Sequence, residues 1–171
     1  MDSSYILTFI GDDRPGLVEQ LSNVVEANGS NWHESRLSQL GGKFAGLILV
    51  SLPQGRAEQL EAELKGLSAS GLSVRVTPTE DVAQSSDARS ITLSVLGPDR
   101  PGIVREISSA LAQRHVNVVE MESQVESAAM SSELLFSAKI SAQVPGDTDM
   151  DDLSDALDDI ANQMTLDIEL A

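Results

Sequence analysis

The sequence predicts an α+β protein built from two tandem ferredoxin-like βαββαβ units, each an antiparallel sheet with its helices on one face. Three observations carry this prediction. The first is internal repetition: "GDDRPGLVEQLSNVV" at 11–25 returns as "GPDRPGIVREISSAL" at 97–111. At an offset of 86, Asp13, Arg14, Pro15, Gly16 and Asn31 fall on Asp99, Arg100, Pro101, Gly102 and Asn117. At an offset of 92, Phe44, Ile48, Pro53, Val74 and Val76 fall on Phe136, Ile140, Pro145, Leu166 and Ile168. The six extra residues lie around "ESAAMSS" (126–132) and read as a longer hairpin loop. The second observation is that each copy gives strand, helix, strand, strand, helix, strand by its apolar periodicity. The third is size: 171 residues with 41% hydrophobic content suffice for two small cores.

The elements follow in order. "YILTFI" (5–10) is a strand-sized apolar run. Pro15 suits the first turn of a helix, where a missing N–H costs nothing. Leu17, Val18, Leu21, Val24 and Val25 then recur at helical spacing, and "ANG" stops the helix with Gly29 as a left-handed cap. "NWHESRLSQL" and "KFAGLILVSL" flank "GG" and read as a hairpin. "RAEQLEAELKGL" puts Leu60, Leu64 and Leu67 on one helix stripe, and "LSVRVTP" closes the unit. The second copy runs "SITLSVL", "PGIVREISSALAQRH", "VNVVEMESQV", "ELLFSAKISAQV", "MDDLSDALDDIANQM" and "TLDIELA". "PTEDVAQSSDAR" is polar and lacks periodicity, which places a linker at 80–88 between domains 1–79 and 89–171.

Composition narrows the function. The net charge is -16, with 11 Lys and Arg against 27 Asp and Glu. A nucleic-acid binder needs a basic surface to replace phosphate counterions, so direct binding to DNA or RNA is not expected. The absence of cysteine excludes disulfides, thiolate metal sites and a Cys nucleophile. No signal peptide or spanning segment is visible, so the expected location is the cytoplasm, without membrane attachment. No cofactor is expected.

The repeated Asp-Arg-Pro-Gly turn lies where a strand ends and a helix begins. The first N–H groups of a helix lack internal partners and carry partial positive charge, so a carboxylate or phosphate docks there. Gly16 and Gly102 allow close approach to the backbone. Asp13 and Asp99 either cap their helices or accept hydrogen bonds from an ammonium group, and Asn31 and Asn117 offer both donor and acceptor. Together these groups suit a small zwitterion. The plainer alternative is that Asp caps, Pro sets the first turn and Gly relieves crowding.

"DRPG" before an amphipathic helix, then "NGSNW" or "HVNVV" opening a strand, resembles the ACT domain, a ligand-sensing module of amino-acid metabolism. Two such units with no catalytic or DNA-reading domain resemble the glycine cleavage system transcriptional repressor family. The stretch "GDDRPGLVEQLSNVVEANGSNWHESRLSQLGGKFAGLILVSLP" carries that likeness most closely. The resemblance implies side-by-side pairing of ACT units, in a homodimer for instance, with an effector at the domain interface. It also implies a non-enzymatic regulator that senses a small amino acid, glycine first, and contacts a DNA-binding transcription regulator. Its ligand-binding positions fall on Asp13, Pro15, Gly16, Leu17 and Asn31, and on Asp99, Pro101, Gly102, Ile103 and Asn117. After the Asn the copies diverge, "WHESR" facing "VVEME". A constitutive interaction module with a lapsed ligand site therefore stays open as an alternative. An acylphosphatase-like enzyme does not fit: its Gly-rich loop is absent, and neither copy offers a nucleophile–base pair.

Several features point less far. "DTDMDDLSDALD" (147–158) spaces Asp147, Asp149 and Asp151 like an EF-hand loop, but Asp152 replaces Gly at position six and Asp158 replaces Glu at position twelve. It reads as an acidic helix start. His115 reads as a helix-end residue, and His33 as a candidate for the first pocket. Arg14 and Arg100 read either as carboxylate clamps or as solvated turn residues, and Trp32 as packing.

Overall fold

The structure, a computed structural model, describes residues 2–80 and 87–171. Its contacts divide into two units, Met1–Val82 and Ala83–Ala171. Residues 81–86, most of the expected linker, lie outside the described residues.

Unit 1 contains β1 (Asp2–Asp12), α1 (Leu17–Ala27), β2 (Asn31–Leu40), β3 (Lys43–Pro53), α2 (Ala57–Gly66) and β4 (Ser73–Thr79), with a 3-10 turn at Leu67–Ser70. Unit 2 contains β5 (Arg89–Pro98), α3 (Ile103–Gln113), β6 (Asn117–Ser127), β7 (Leu134–Val144), α4 (Met150–Met164) and β8 (Asp167–Leu170). The strand orders are β2-β3-β1-β4 and β6-β7-β5-β8, and all pairs are antiparallel. Both units are the predicted βαββαβ fold.

Each sheet buries one face. In unit 1, Leu7 and Phe9 of β1 and Ile48, Val50 and Leu52 of β3 meet Leu17, Leu21 and Val25 of α1 and Leu60 and Leu64 of α2. In unit 2, Leu93 and Val95 of β5 and Ile140 and Val144 of β7 meet Ile107 and Leu111 of α3 and Leu153, Leu157 and Ile160 of α4. These residues sit at every second position of a strand and at three- or four-residue spacing on a helix, as burial of one face requires. Trp32 is half-buried and packs against the first core, as expected of a packing residue.

A polar link joins the two helices of each unit beside the core. Asn28, fully buried at the end of α1, donates from Nδ2 to Val24 O (2.8 Å) and to Glu63 Oε2 of α2 (2.7 Å). At the equivalent end of α3, Arg114 donates to Asp152 Oδ2 of α4 (2.9 Å) and to Ala110 O (2.9 Å).

The hairpin turn falls on Gly41 and Gly42, both at positive φ (59° and 78°), the backbone that a two-residue turn between twisted strands demands. The longer loop of unit 2 lies between Ser127 and Leu134, where the extra residues were expected. Asp149 caps α4, its Oδ1 accepting from the N–H groups of Asp151 (3.0 Å) and Asp152 (3.2 Å). The EF-hand-like spacing is thus an acidic helix start.

Candidate functional site

The two Asp-Arg-Pro-Gly turns share one backbone. Gly16 (φ 91°, ψ 2°) and Gly102 (φ 95°, ψ -3°) are left-handed, with the dihedrals of the third residue of a type II turn whose second residue is proline. Two expectations are corrected here. Pro15 and Pro101 do not open the helices, which begin at Leu17 and Ile103; each proline belongs to the turn before the cap. Nor does Gly16 relieve crowding, since an added Cβ there would meet nothing within 4 Å. It is required by its positive φ.

Because the N-cap residue is glycine, no side chain caps α1 or α3. The capping role considered for Asp13 and Asp99 is therefore absent. The first intrahelical bonds run from Gln20 N–H to Gly16 O (3.0 Å) and from Glu106 N–H to Gly102 O (2.9 Å). The N–H groups of Leu17, Val18 and Glu19, and of Ile103, Val104 and Arg105, precede those bonds and belong to the uncapped helix starts. Leu17 and Ile103 bury their side chains in the cores (3% and 2% exposed), so only their backbone is available to a ligand. An open hollow of about 310 Å³ lies beside the first turn, lined by Asp13, Arg14, Gly16, Val18, Glu19 and Phe44 among others.

The side-chain settings of the two turns differ. In unit 1, Asp13 Oδ2 accepts from Gln39 Nε2 (2.8 Å), while Arg14 Nη2 donates to Gln20 Oε1 (3.1 Å) and Ser70 O (3.0 Å). Gln20 Nε2 in turn donates to Ser70 Oγ (3.2 Å). Arg14 thus ties the turn to the 3-10 segment and is not a free clamp, although its side chain stays exposed to solvent. In unit 2, position 125 is Val where Gln39 would fall, and position 106 is Glu where Gln20 would fall. The Asp99 N–H is fixed to Leu134 O (2.8 Å), as Asp13 N–H is to Gly42 O (3.0 Å). Among the described residues, the side chains of Asp99 and Arg100 make no hydrogen bond or ion pair within the chain.

Asn31 and Asn117 open β2 and β6 as expected, but within a unit they do not meet the turn. Asn31 pairs with Ser51, which pairs with Ser4, and the turn follows Asp12. Eight residues of strand at about 3.3 Å each separate the two, roughly 26 Å. Asn117 pairs with Gln143, opposite Ser90, while the second turn follows Pro98. The cause is topological: a crossover helix returns the chain so that β2 runs parallel to β1, and it starts at the other end of the sheet. His33 hydrogen-bonds Ser51 Oγ (2.7 Å) at that same far end and does not line the hollow. His115 follows α3 at φ 57°, the left-handed position that Gly29 takes in unit 1.

Two further features went unread in the sequence. A β-bulge follows each strand-opening Asn, between Trp32 and Ser35 and between Val118 and Glu120. Gly11 and Gly97, equivalent at the offset of 86, end the central strands so close to neighbouring backbone that a Cβ would lie 3.0 Å from Gly71 O and 2.8 Å from Thr165 O. Their recurrence just before both turns was the available signal.

Residues 4–77 match one ACT-domain family model and residues 91–149 match a second. The chain belongs to the ACT-domain family. Both ACT units are similar, as a tandem pair, to curated relatives named glycine cleavage system transcriptional repressor from Escherichia coli K12 and Shigella flexneri. Each is 25% identical over 161 residues, covering 93% of this chain and 84% of the relative. Among solved structures, an unknown protein from Galdieria sulphuraria matches with a TM-score of 0.89 at 28% identity, covering 99% of this chain and 98% of its own. The structure of a protein proposed to be a glycine cleavage system transcriptional repressor matches in fold, with a TM-score of 0.73 at 22% identity over 100% of this chain and 97% of its own. The named relatives are regulators rather than enzymes. Among the described residues, no helix is long and apolar enough to cross a membrane, and no group of three or more acidic or His side chains is placed to hold a metal ion.

Proposed function

We propose that the chain is a non-enzymatic cytoplasmic regulator that senses a small amino acid, glycine in the first instance, and answers by changing its contact with a DNA-binding transcription regulator. The observation that carries this reading is the uncapped helix start behind a left-handed glycine, built twice with an Asp beside it. The free N–H groups favour the effector's carboxylate and the Asp its ammonium. The similarity to relatives named as repressors of the glycine cleavage system supports the class of effector and the role. The charge of -16 supports contact with a protein rather than with DNA.

Unit 2 supplies the working turn in this reading. In unit 1 the polar groups of the turn are already engaged, by Gln39 and by Gln20 and Ser70. That engagement also favours the second reading, of a lapsed site, for unit 1 alone. Because Asn31 and Asn117 stand at the far end of their own sheets, they complete a site only on a second ACT unit, paired antiparallel along an edge strand as in a homodimer. Such a site couples effector to interface, because a ligand shifts an equilibrium only by binding two states differently.

Thermal unfolding against a panel of free amino acids tests the reading. A native-state ligand at about 100 times its dissociation constant adds roughly 2.7 kcal/mol. The expected result is a shift with glycine that Asp99→Ala abolishes and Asp13→Ala leaves. A flat panel with partner binding intact leaves the constitutive module standing instead.

A further inference from the structure

The open faces of the two sheets, opposite the helices, carry inverted charge at matching positions. Across unit 1, Arg36, Leu47, Thr8 and Arg75 lie in one row, paired β2 to β3 to β1 to β4. Across unit 2, the row in the same register is Glu122, Lys139, Ser94 and Glu169. Pairing with the central strands corrects the last-strand offset from 92 to 94, so Val74 matches Ile168 and Arg75 matches Glu169. Each row therefore ends in two like charges, positive on one sheet and negative on the other. Arg36, Arg75, Glu122 and Glu169 are all exposed. The apolar content differs as well: Ile6, Leu47 and Leu49 on the first open face stand where the second has Thr92, Lys139 and Ser141. The fold does not require apolar residues at these positions, since unit 2 forms the same sheet without them. Leu47 is nonetheless 50% exposed.

We propose that the open face of the unit 1 sheet is a docking surface for the open face of the unit 2 sheet of a second copy of this chain. Sheets stack about 10 Å apart with strands nearly aligned, and neighbouring strands lie about 4.8 Å apart, so the two rows have the same width. Turned face to face about either in-plane axis, the ends of the rows meet as Arg against Glu. Arg36 and Arg75 face Glu122 and Glu169 about one axis, and Glu169 and Glu122 about the other. Stacking unit 1 on unit 1 instead sets Arg against Arg, and unit 2 on unit 2 sets Glu against Glu. Unlike faces attract and like faces repel, which selects the partner face, in either of the two orientations. Arg36 already bonds Glu34 (3.2 Å), which leaves Arg75 the stronger determinant. The contact is independent of the effector reading; its charges stand on the outer strands, but it joins sheet faces and leaves the backbone edges of those strands unpaired.

Sedimentation velocity on the full chain at low ionic strength, over a concentration series, tests this. The wild type is expected to show a reversible association step that weakens as salt is added. Arg36→Glu with Arg75→Glu, and separately Glu122→Arg with Glu169→Arg, should each weaken that step at least about tenfold. Circular dichroism checks that both variants remain folded; the first pair merely installs the residue that the other unit carries at the same place. An equimolar mixture of the two variants should associate although neither does alone, because one presents only acidic faces and the other only basic ones. A wild type monomeric throughout, variants that associate like the wild type, or a mixture that stays monomeric would each overturn the proposal.

Discussion

Replacing Gly16 by Ala isolates the backbone requirement of the turn from everything else in it. The native φ of 91° lies in a region that an L side chain enters at a cost of about 1–2 kcal/mol. No steric term adds to this, since an Ala Cβ at position 16 would meet nothing within 4 Å. Ala also stiffens the unfolded chain, which returns about 0.4–1 kcal/mol. The expected net loss is therefore about 0–1.6 kcal/mol, centred near ~0.8 kcal/mol and confined to unit 1. Asn tolerates the left-handed region better than Ala, so Gly16→Asn should lose less. Urea unfolding followed by fluorescence is the assay: the chain has one Trp and one Tyr, Trp32 and Tyr5, and both lie in unit 1. If Ala stabilises unit 1, or if Asn costs as much as Ala, the left-handed glycine is not what shapes the turn and the uncapped helix start loses its explanation.

Three more outcomes follow from the same geometry. Asn28→Asp removes both Nδ2 donations and sets a buried carboxylate against Glu63, so unit 1 should lose about 2–3 kcal/mol in the same fluorescence assay, and a loss below about 1 kcal/mol would contradict the link. Thr165 closes α4 at φ 57°, an unfavourable conformation for a β-branched residue. Thr165→Gly should stabilise unit 2 by about 0.5–1 kcal/mol, visible by circular dichroism but not in the Trp32 transition; no gain would mean the strain is not there. Asp12 is held below its ordinary value of 3.8 by a hydrogen bond from Lys43 and then by that ammonium's charge. Its folded value lies below its unfolded one, so the contribution is present above 3.8 and is lost as pH falls through the folded value. Lys43→Met should return the Asp12 carboxyl titration, followed by carbon NMR, towards 3.8, and an unmoved titration would refute the pairing.

The elements with strong periodicity were legible. α4 runs over the residues its apolar stripe indicated, and the GG hairpin fixed β2 and β3, because turn chemistry and alternation agree there. β1 extends from Asp2 to Asp12, beyond the apolar run 5–10, since its ends are held by backbone pairing with β3 that needs no apolar side chain. Pro15 was misread because proline suits both a helix start and the second position of a type II turn; the Gly that follows decides between them. The separation of Asn31 from the turn was readable in principle, since a strand–helix–strand crossover returns the second strand parallel to the first. The latch on Arg14 was not: it depends on Ser70, 56 residues away, meeting a turn whose local sequence says nothing of it.

The central claim is that the second turn receives an amino acid on its free helix start. Amide nitrogen–proton NMR spectra of the labelled chain, recorded as glycine is added, test it most directly. The account predicts saturable shifts centred on Gly102, Ile103, Val104 and Arg105, with Leu17, Val18 and Glu19 little changed. Shifts that never saturate, or that fall elsewhere and leave these amides in place, would contradict it.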